Sequence, residues 1–190
     1  MAALPARKQQ LVEAAIYEIG TSGSLSVTVG QIAKRAGVSA ALAFHYFGDK
    51  DRLFLATMRY ILRIYGDEAR RALLAAQSPR ERVEGVIRSC FTPANFRAEV
   101  VATWLNFYVM AQQSAEARRL LSIYHRRLKS NLTRDLRPLA GERASDIALR
   151  IAGLIDGIYF RSALNPNETT SQQASSHVLT LLDNELEALS

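Results

Sequence analysis

Apolar residues recur along this 190-residue chain at three- and four-residue spacing, and no stretch shows the two-residue alternation of a strand. From about Pro5 to Ile19, Leu11, Val12, Ala15, Ile16 and Ile19 fall on one helical face, with Gly20, Ser22 and Gly23 expected to end the helix. Thr28 followed three residues on by Gln31 is a capping-box pattern that opens a second helix to about Ala36. Gly37 stops it, and Ser39 can cap a third. Asp49 can cap a long helix whose apolar face includes Leu53, Phe54, Thr57, Ile61, Ile64 and Leu73. Ser78-Pro79-Arg80-Glu81 joins a serine cap, a proline at the first helical position and a glutamate three residues after the cap, opening a helix to about Phe91. Further helices are expected over about 97–113, 115–138, 143–164 and 168–189, bounded by Thr92-Pro93, Pro138, Gly141 and Asn165-Pro166-Asn167. The pattern predicts an all-α protein of about nine helices, without internal repeats.

The second and third helices, crossing on a glycine turn, read as a helix-turn-helix, whose second helix lies in the DNA major groove. With the first helix they make a small unit over residues 1–50. The long helix after Asp49 is then a rod and lever into a larger helical unit over 51–190. A helix entering the groove needs short side chains that let its backbone approach and flanking donors for phosphates. Residues Ser39 to Tyr46 meet the first need, but no Arg or Lys occurs from Ala36 to Asp49, so the commonest contact to guanine is missing. Readout therefore leans on thymine methyls meeting Ala40, Ala41, Leu42 or Phe44, and on Ser39 and His45, which predicts an operator core containing A·T pairs. Tyr46 and Phe47 can equally close the three-helix core, although Tyr46 can bury its ring and still offer its hydroxyl to a phosphate.

Composition narrows the classes. A hydrophobic content of 48% suffices for a real core, and 24 Lys+Arg against 18 Asp+Glu give a net +6. Seven basic and four acidic residues fall within 1–60, so half the net charge sits in a third of the chain. That suits a polyanionic partner such as DNA, and equally a solvated basic surface. The single cysteine, Cys90, rules out an intramolecular disulfide. The N-terminal residues lack the apolar region of a signal peptide, and no apolar run approaches a membrane span, so a soluble cytoplasmic protein is expected. Three histidines, His45, His125 and His177, have no metal-ligand spacing, and there is no glycine-rich phosphate loop or nucleophile elbow. Neither an enzyme nor a metal or other cofactor is expected.

The segment GVSAALAFHYFGDK, preceded by TVGQIAKRA, resembles the DNA-binding segment of the TetR family of repressors. The resemblance implies an all-helical homodimer with an N-terminal DNA-binding domain and a C-terminal domain that binds a small effector. It places Thr28, Tyr46 and Lys50 at phosphate-holding positions, and Ser39, Ala40, Ala41, Leu42, Phe44 and His45 on the groove-facing helix. Ala43 departs from the pattern, which has a bulky apolar residue there.

The effector half is most informative at WLNFY, residues 104–108, and LIDGIYFRSAL, residues 154–164. Asp156 lies among Leu154, Ile155, Ile158 and Phe160, and a carboxylate buried there is costly without a cationic or hydrogen-bonding partner. Arg126, Arg127, Arg150 or Arg161 could supply one internally or across a dimer; the alternative is a ligand cation. Aromatic faces plus one carboxylate suit a quaternary ammonium, which donates no strong hydrogen bonds, although an aromatic stripe can also be core. WLNFY, HRRLKSNL at 125–132 and LIDGIYFRSAL are similar to the choline-responsive repressors of glycine betaine synthesis genes within the same family. That similarity implies choline as inducer, with Trp104, Phe107 or Tyr108, Asp156 and Tyr159 as the candidate cage. Two alternatives remain open: a repressor answering another cationic or lipophilic molecule, and a constitutive DNA-binding or adaptor protein whose C-terminal domain binds a protein. A two-fold dimer on a palindrome is expected through the last two helices, where Gly153 and Gly157 allow close approach and Ala152, Ile155, Leu179, Leu182, Leu186 and Leu189 are apolar. The same residues could instead complete the monomer core.

Overall fold

A computed structural model describes residues 5–188. Nine α-helices and one 3-10 turn occur among them, with no strand: α1 Ala6–Ser22, α2 Val29–Arg35, α3 Ala40–Phe47, α4 Lys50–Ala75, α5 Pro79–Cys90, α6 Ala98–Gln113, α7 Ala115–Ala140, the turn Gly141–Arg143, α8 Ala144–Leu164 and α9 Ser171–Glu187. No helix among the described residues is long and apolar enough to cross a membrane.

Caps written in the sequence start most helices. Thr28 accepts from the Gln31 N–H at 3.2 Å while the Gln31 side chain accepts from the Thr28 N–H at 2.7 Å, completing the box. Ser39, Asp49 and Ser78 accept from the N–H groups of Leu42, Arg52 and Glu81. Gly37 adopts φ 66°, and the Val38 N–H reaches the Ala33 carbonyl, which folds α3 sharply away from α2.

Two boundaries differ from expectation. α1 does not stop near Ile19 but runs to Ser22, with Gly23 as its C-cap. Gly20 stays helical because it is a contact surface: a Cβ there would drive into the backbone of Glu99 on α6. α9 begins at Ser171 rather than near Glu168, because Thr170 and Gln173 form a second capping box. Glu168 belongs to the preceding turn, where it pairs with Arg161 at 2.5 Å.

One continuous core runs from Leu11 to Leu182. α1 packs on α2, α4 and also α6; α4 passes up to α5; α5, α6 and α7 surround the upper core; α8 packs on α6 and α7, and α9 on α8 and α5. At about 1.5 Å per residue, the 26-residue α4 is about 39 Å long, enough to join the small unit to the top of the bundle. Cys90 is buried in this core, and burial pushes its thiol up to about 12.

Ile155 and Leu182, expected at a dimer contact, are buried inside the monomer, and Leu189 lies outside the described residues. Leu149, Phe160 and Leu164 instead line the open side of α8, 60%, 37% and 71% exposed, at the spacing of one face together with Gly153 and Gly157. Neither glycine has a neighbour where its Cβ would be.

Candidate DNA-reading head and effector site

In α3 the one buried side chain is Ala43, which seats the helix on the core of α1, α2 and α4 with little bulk. Ser39, Ala40, Ala41, Phe44 and His45 are exposed, and Leu42 and Tyr46 half-buried. A phenylalanine 48% exposed on a short helix is costly to hydrate, and it sits on the face a groove would cover. Cations gather at the edges of this face. Lys50, the first residue of α4, holds its ammonium 5.4 Å from the Phe54 ring centre, and Lys8 of α1 lies 5.6 Å from that of Tyr46. Arg35 is committed elsewhere, paired with Glu18 and stacked 3.6 Å above Tyr17. Thr28 is exposed, but its hydroxyl is engaged in the capping box. Lys8 was not a candidate from sequence. A lone lysine early in α1 carries no signal until the fold sets it over Tyr46.

In the larger helical unit, Trp104 of α6 is almost fully buried. Its ring centre lies 6.1 Å from Tyr108, 6.3 Å from Tyr159 and 4.8 Å from Tyr124 of α7. Phe107, buried in the core, meets Trp104 edge-on at 6.3 Å. Phe160 covers Tyr108 at 5.0 Å. The Tyr108 hydroxyl donates to Asp156 Oδ1 at 3.0 Å and lies 3.0 Å from His125 Nε2, which is itself 3.7 Å from Asp156 Oδ2. Burial raises the Asp156 pKa above the ordinary 3.8, against the opposing pull of His125 and Tyr108. Burial also raises the Tyr108 hydroxyl well above its ordinary value, and the neighbouring carboxylate adds to it.

None of the four arginines considered from sequence meets Asp156. Arg150 pairs with Glu185 and Arg161 with Glu168, while Arg126 and Arg127 are exposed, Arg127 at the groove between α4 and α7. The internal partners are a phenol and an imidazole from two other helices. His125, noted in the sequence as one of three histidines without metal-ligand spacing and within HRRLKSNL, was not a candidate partner for Asp156, because its proximity is set by the packing of α7 on α8. The space between Trp104, Leu105, Tyr108, Tyr159 and Phe160 is about 10 Å³, at the lower limit for a single water. The rings pack together there, while the His125 and Asp156 side chains beside them stay 42% and 29% exposed.

Tyr159 also ties the site to α4. Its hydroxyl donates to the carbonyls of Cys90 and Asn95, and its ring clusters with those of Phe91 and Phe96. Asn95 is 3% exposed; its amide donates to Glu68 Oε2 on α4 and, at 2.8 Å, to the Ser89 carbonyl. Thr92 adds a bond to the same Glu68 oxygen at 2.6 Å. A second connection runs from α6 to α1. Glu13 accepts from Arg97, just before α6, at 3.1 Å and from Tyr60 of α4, while Asn106 reaches the Gly23 carbonyl at 3.3 Å.

A helix-turn-helix unit joined by a continuous helix to an all-helical bundle with an aromatic and acidic site defines a DNA-binding transcriptional regulator of the one-component kind. Residues 11–57 match the model of the bacterial regulatory proteins of the tetR family, and residues 79–187 match that of the BetI-type transcriptional repressor C-terminal domain. The chain is 50% identical over 171 residues to the HTH-type transcriptional regulator BetI of Brucella anthropi, covering 90% of this chain and 88% of that one. It is 50% identical over 161 residues to BetI of Rhizobium meliloti, covering 84% and 79%. Among solved structures, a transcriptional regulator from a Rhodococcus species superposes with TM-score 0.84 at 17% identity, over 95% of this chain and 96% of that one. One from Saccharomonospora viridis in complex with choline gives 0.82 at 20% identity, over 93% and 95%. These two share the fold. The chain belongs to the TetR family, in its BetI-type branch, and is a TetR-type transcriptional repressor.

Proposed function

We propose that this repressor binds a palindromic operator as a homodimer and releases it when choline binds each chain among Trp104, Tyr108, Tyr159 and Asp156. The observation that carries the reading is the carboxylate of Asp156, set among aromatic rings without a guanidinium partner. A trimethylammonium group is stabilised there by ring faces and one diffuse charge partner, and nothing in the site asks it to donate a strong hydrogen bond. Choline's hydroxyl has Tyr108 and His125 within the same cluster. Phe107 supports Trp104 from behind. The choline complex of the Saccharomonospora protein and the names of the curated relatives support this choice.

Residues 1–50 act as the reading head and 51–190 as the effector and dimerisation part. Thr28, Tyr46 and Lys50 grip phosphates, and Ser39, Ala40, Ala41, Leu42, Phe44 and His45 face the groove, reading an operator core with A·T pairs. The exposed stripe Leu149, Gly153, Gly157, Phe160 and Leu164 on α8, with α9 beside it, supplies the contact between copies. Acting on bacterial DNA, the dimer works in the cytoplasm. Choline entry breaks the Tyr108–Asp156 bond and parts the rings. The movement has two routes to the reading head: Tyr159 through Asn95 to Glu68 on α4, and α6 through Arg97 and Glu99 to α1. α4 is thus one of two levers rather than the sole one. The effector shifts DNA affinity by as much as it prefers one head spacing over another.

Calorimetry of choline against the wild type and Trp104→Ala tests the reading. Saturable binding, at one choline per chain and weakened at least tenfold by the substitution, is expected. No binding, or an unchanged affinity in the variant, overturns it.

A further inference from the structure

We propose that the groove between α4 and α7 is a second ligand site, built for an amphipathic carboxylate rather than for a cation. The groove measures about 620 Å³, within the usual range for small-molecule sites, whereas the ring cluster around Trp104 leaves about 10 Å³. Its floor is apolar, from Leu62, Tyr65 and Leu73 of α4 and Leu120, Ile123 and Tyr124 of α7. Its rim carries Arg59, Arg63, Arg70 and Arg127 against a single acid, Asp67. Arg59 is paired with Glu116, and Arg63 lies 5.1 Å from the Tyr60 ring centre. Arg70 and Arg127 enter no ion pair within 4 Å among the described residues, so two guanidinium forks stand on facing helices over a hydrocarbon floor. A planar fork is matched to a carboxylate head, and the leucines and tyrosines to its chain. The same charge repels a quaternary ammonium. α7 is the most basic helix of the protein, with seven basic residues against two acids.

The groove is separate from the choline site but adjoins it. Tyr124 turns its ring towards Tyr65 at 5.8 Å on the groove side and towards Trp104 at 4.8 Å on the other, so the rings of these residues form a wall between a basic site and an acidic one. α4 packs mainly on α1 and α5 and touches α7 little. A ligand filling the gap therefore bears on α4, the helix that begins at the reading head. Neither Asp156 nor Trp104 is needed for this site, so it stands whether or not choline is the inducer.

Sodium decanoate, kept below its micelle-forming concentration, is the probe, with decanol as the neutral control. Titration calorimetry and operator gel shifts are run on the full-length wild type, Asp156→Asn and the double variant Arg70→Gln/Arg127→Gln. Both substitutions of the double variant lie on exposed positions, and its melting temperature should stay within a few degrees of wild type. The expected result is one decanoate per chain, an affinity at least tenfold weaker in the double variant and unaltered in Asp156→Asn, no comparable binding of decanol, and an operator affinity that changes with decanoate in the wild type alone of wild type and double variant. Saturating choline should leave decanoate bound. Absence of decanoate binding, equal binding by the double variant, equal binding of decanol, or displacement by choline overturns the site; binding without any change in operator affinity overturns its action on α4. Loss of choline binding in Asp156→Asn with decanoate binding intact separates the two sites.

Discussion

Replacing Asn95 with alanine probes the link between the aromatic site and α4. The side chain is 3% exposed, and its amide donates to the Ser89 carbonyl and to the Glu68 carboxylate. Removing it leaves a buried carbonyl without that donor and a carboxylate that keeps only Thr92. An unsatisfied buried neutral group costs about 1–3 kcal/mol and a charged one more, so a loss of about 3 kcal/mol is expected. Each kcal/mol moves the melting temperature of a domain of this size by about 2–4 °C, giving a fall of roughly 6–12 °C. Asn184→Ala, an exposed change on α9, should stay within about 0.5 kcal/mol. Because the amide also fixes the loop whose carbonyls hold Tyr159, the variant should bind choline yet release operator less completely than wild type at saturation. Differential scanning calorimetry reads the first effect, and an operator titration at saturating choline the second. A melting temperature within 2 °C of wild type, or a wild-type response in the operator titration, would refute the link.

Asp156→Asn keeps the shape of the site but removes its charge, so choline affinity should fall at least roughly 30-fold, equivalent to about 2 kcal/mol, while operator affinity without ligand stays unchanged; calorimetry and gel shift check the two halves. The Asp156 pKa is raised in the ligand-free fold, so the stability it contributes is fully present below the ordinary 3.8 and lost as pH rises through the raised value. A cation needs the ionised carboxyl, so choline affinity should climb as pH rises through that value and binding should release protons, measurable as a dependence of the calorimetric heat on buffer ionisation enthalpy that disappears in Asp156→Asn. Gly20→Ala would ordinarily favour a helix by about 1 kcal/mol, but here the added methyl meets the Glu99 backbone, and a net destabilisation of about 1–3 kcal/mol is expected. Gly66→Ala, in open space on α4, should stabilise by up to about 1 kcal/mol; urea titration of both glycine variants against the wild type checks the two signs.

The helices were legible because their signals are local. Thr28 with Gln31, Gly37, Ser39, Asp49 and Ser78-Pro79 each act within one turn, and each cap is formed as written. What misled was also local: Gly20 resembles a stop, yet its role is set by Glu99, 79 residues away in the chain. The site was legible in part. Trp104, Tyr108 and Asp156 stood out as an acid beside aromatic helices, but which cation or donor met the acid depends on how α6, α7 and α8 pack. Four arginines were plausible on charge alone, whereas the fold delivers Tyr108 and His125 and turns those arginines outward or onto Glu185 and Glu168. The Glu68–Asn95–Tyr159 connection leaves no sequence pattern, since its three residues share neither a helix nor a spacing. Phe107, adjacent in sequence to Tyr108, was not separable from it until the helix was oriented and one ring faced the core.

The central claim, a repressor whose grip on DNA is released by a cation held at Asp156, is tested most directly by a gel shift of the purified protein on DNA upstream of its own gene, with and without choline. A retarded band that choline dissolves in the wild type, and that persists under choline in Asp156→Asn, is the predicted result. A band unaffected by choline in the wild type, or dissolved equally in Asp156→Asn, would contradict it.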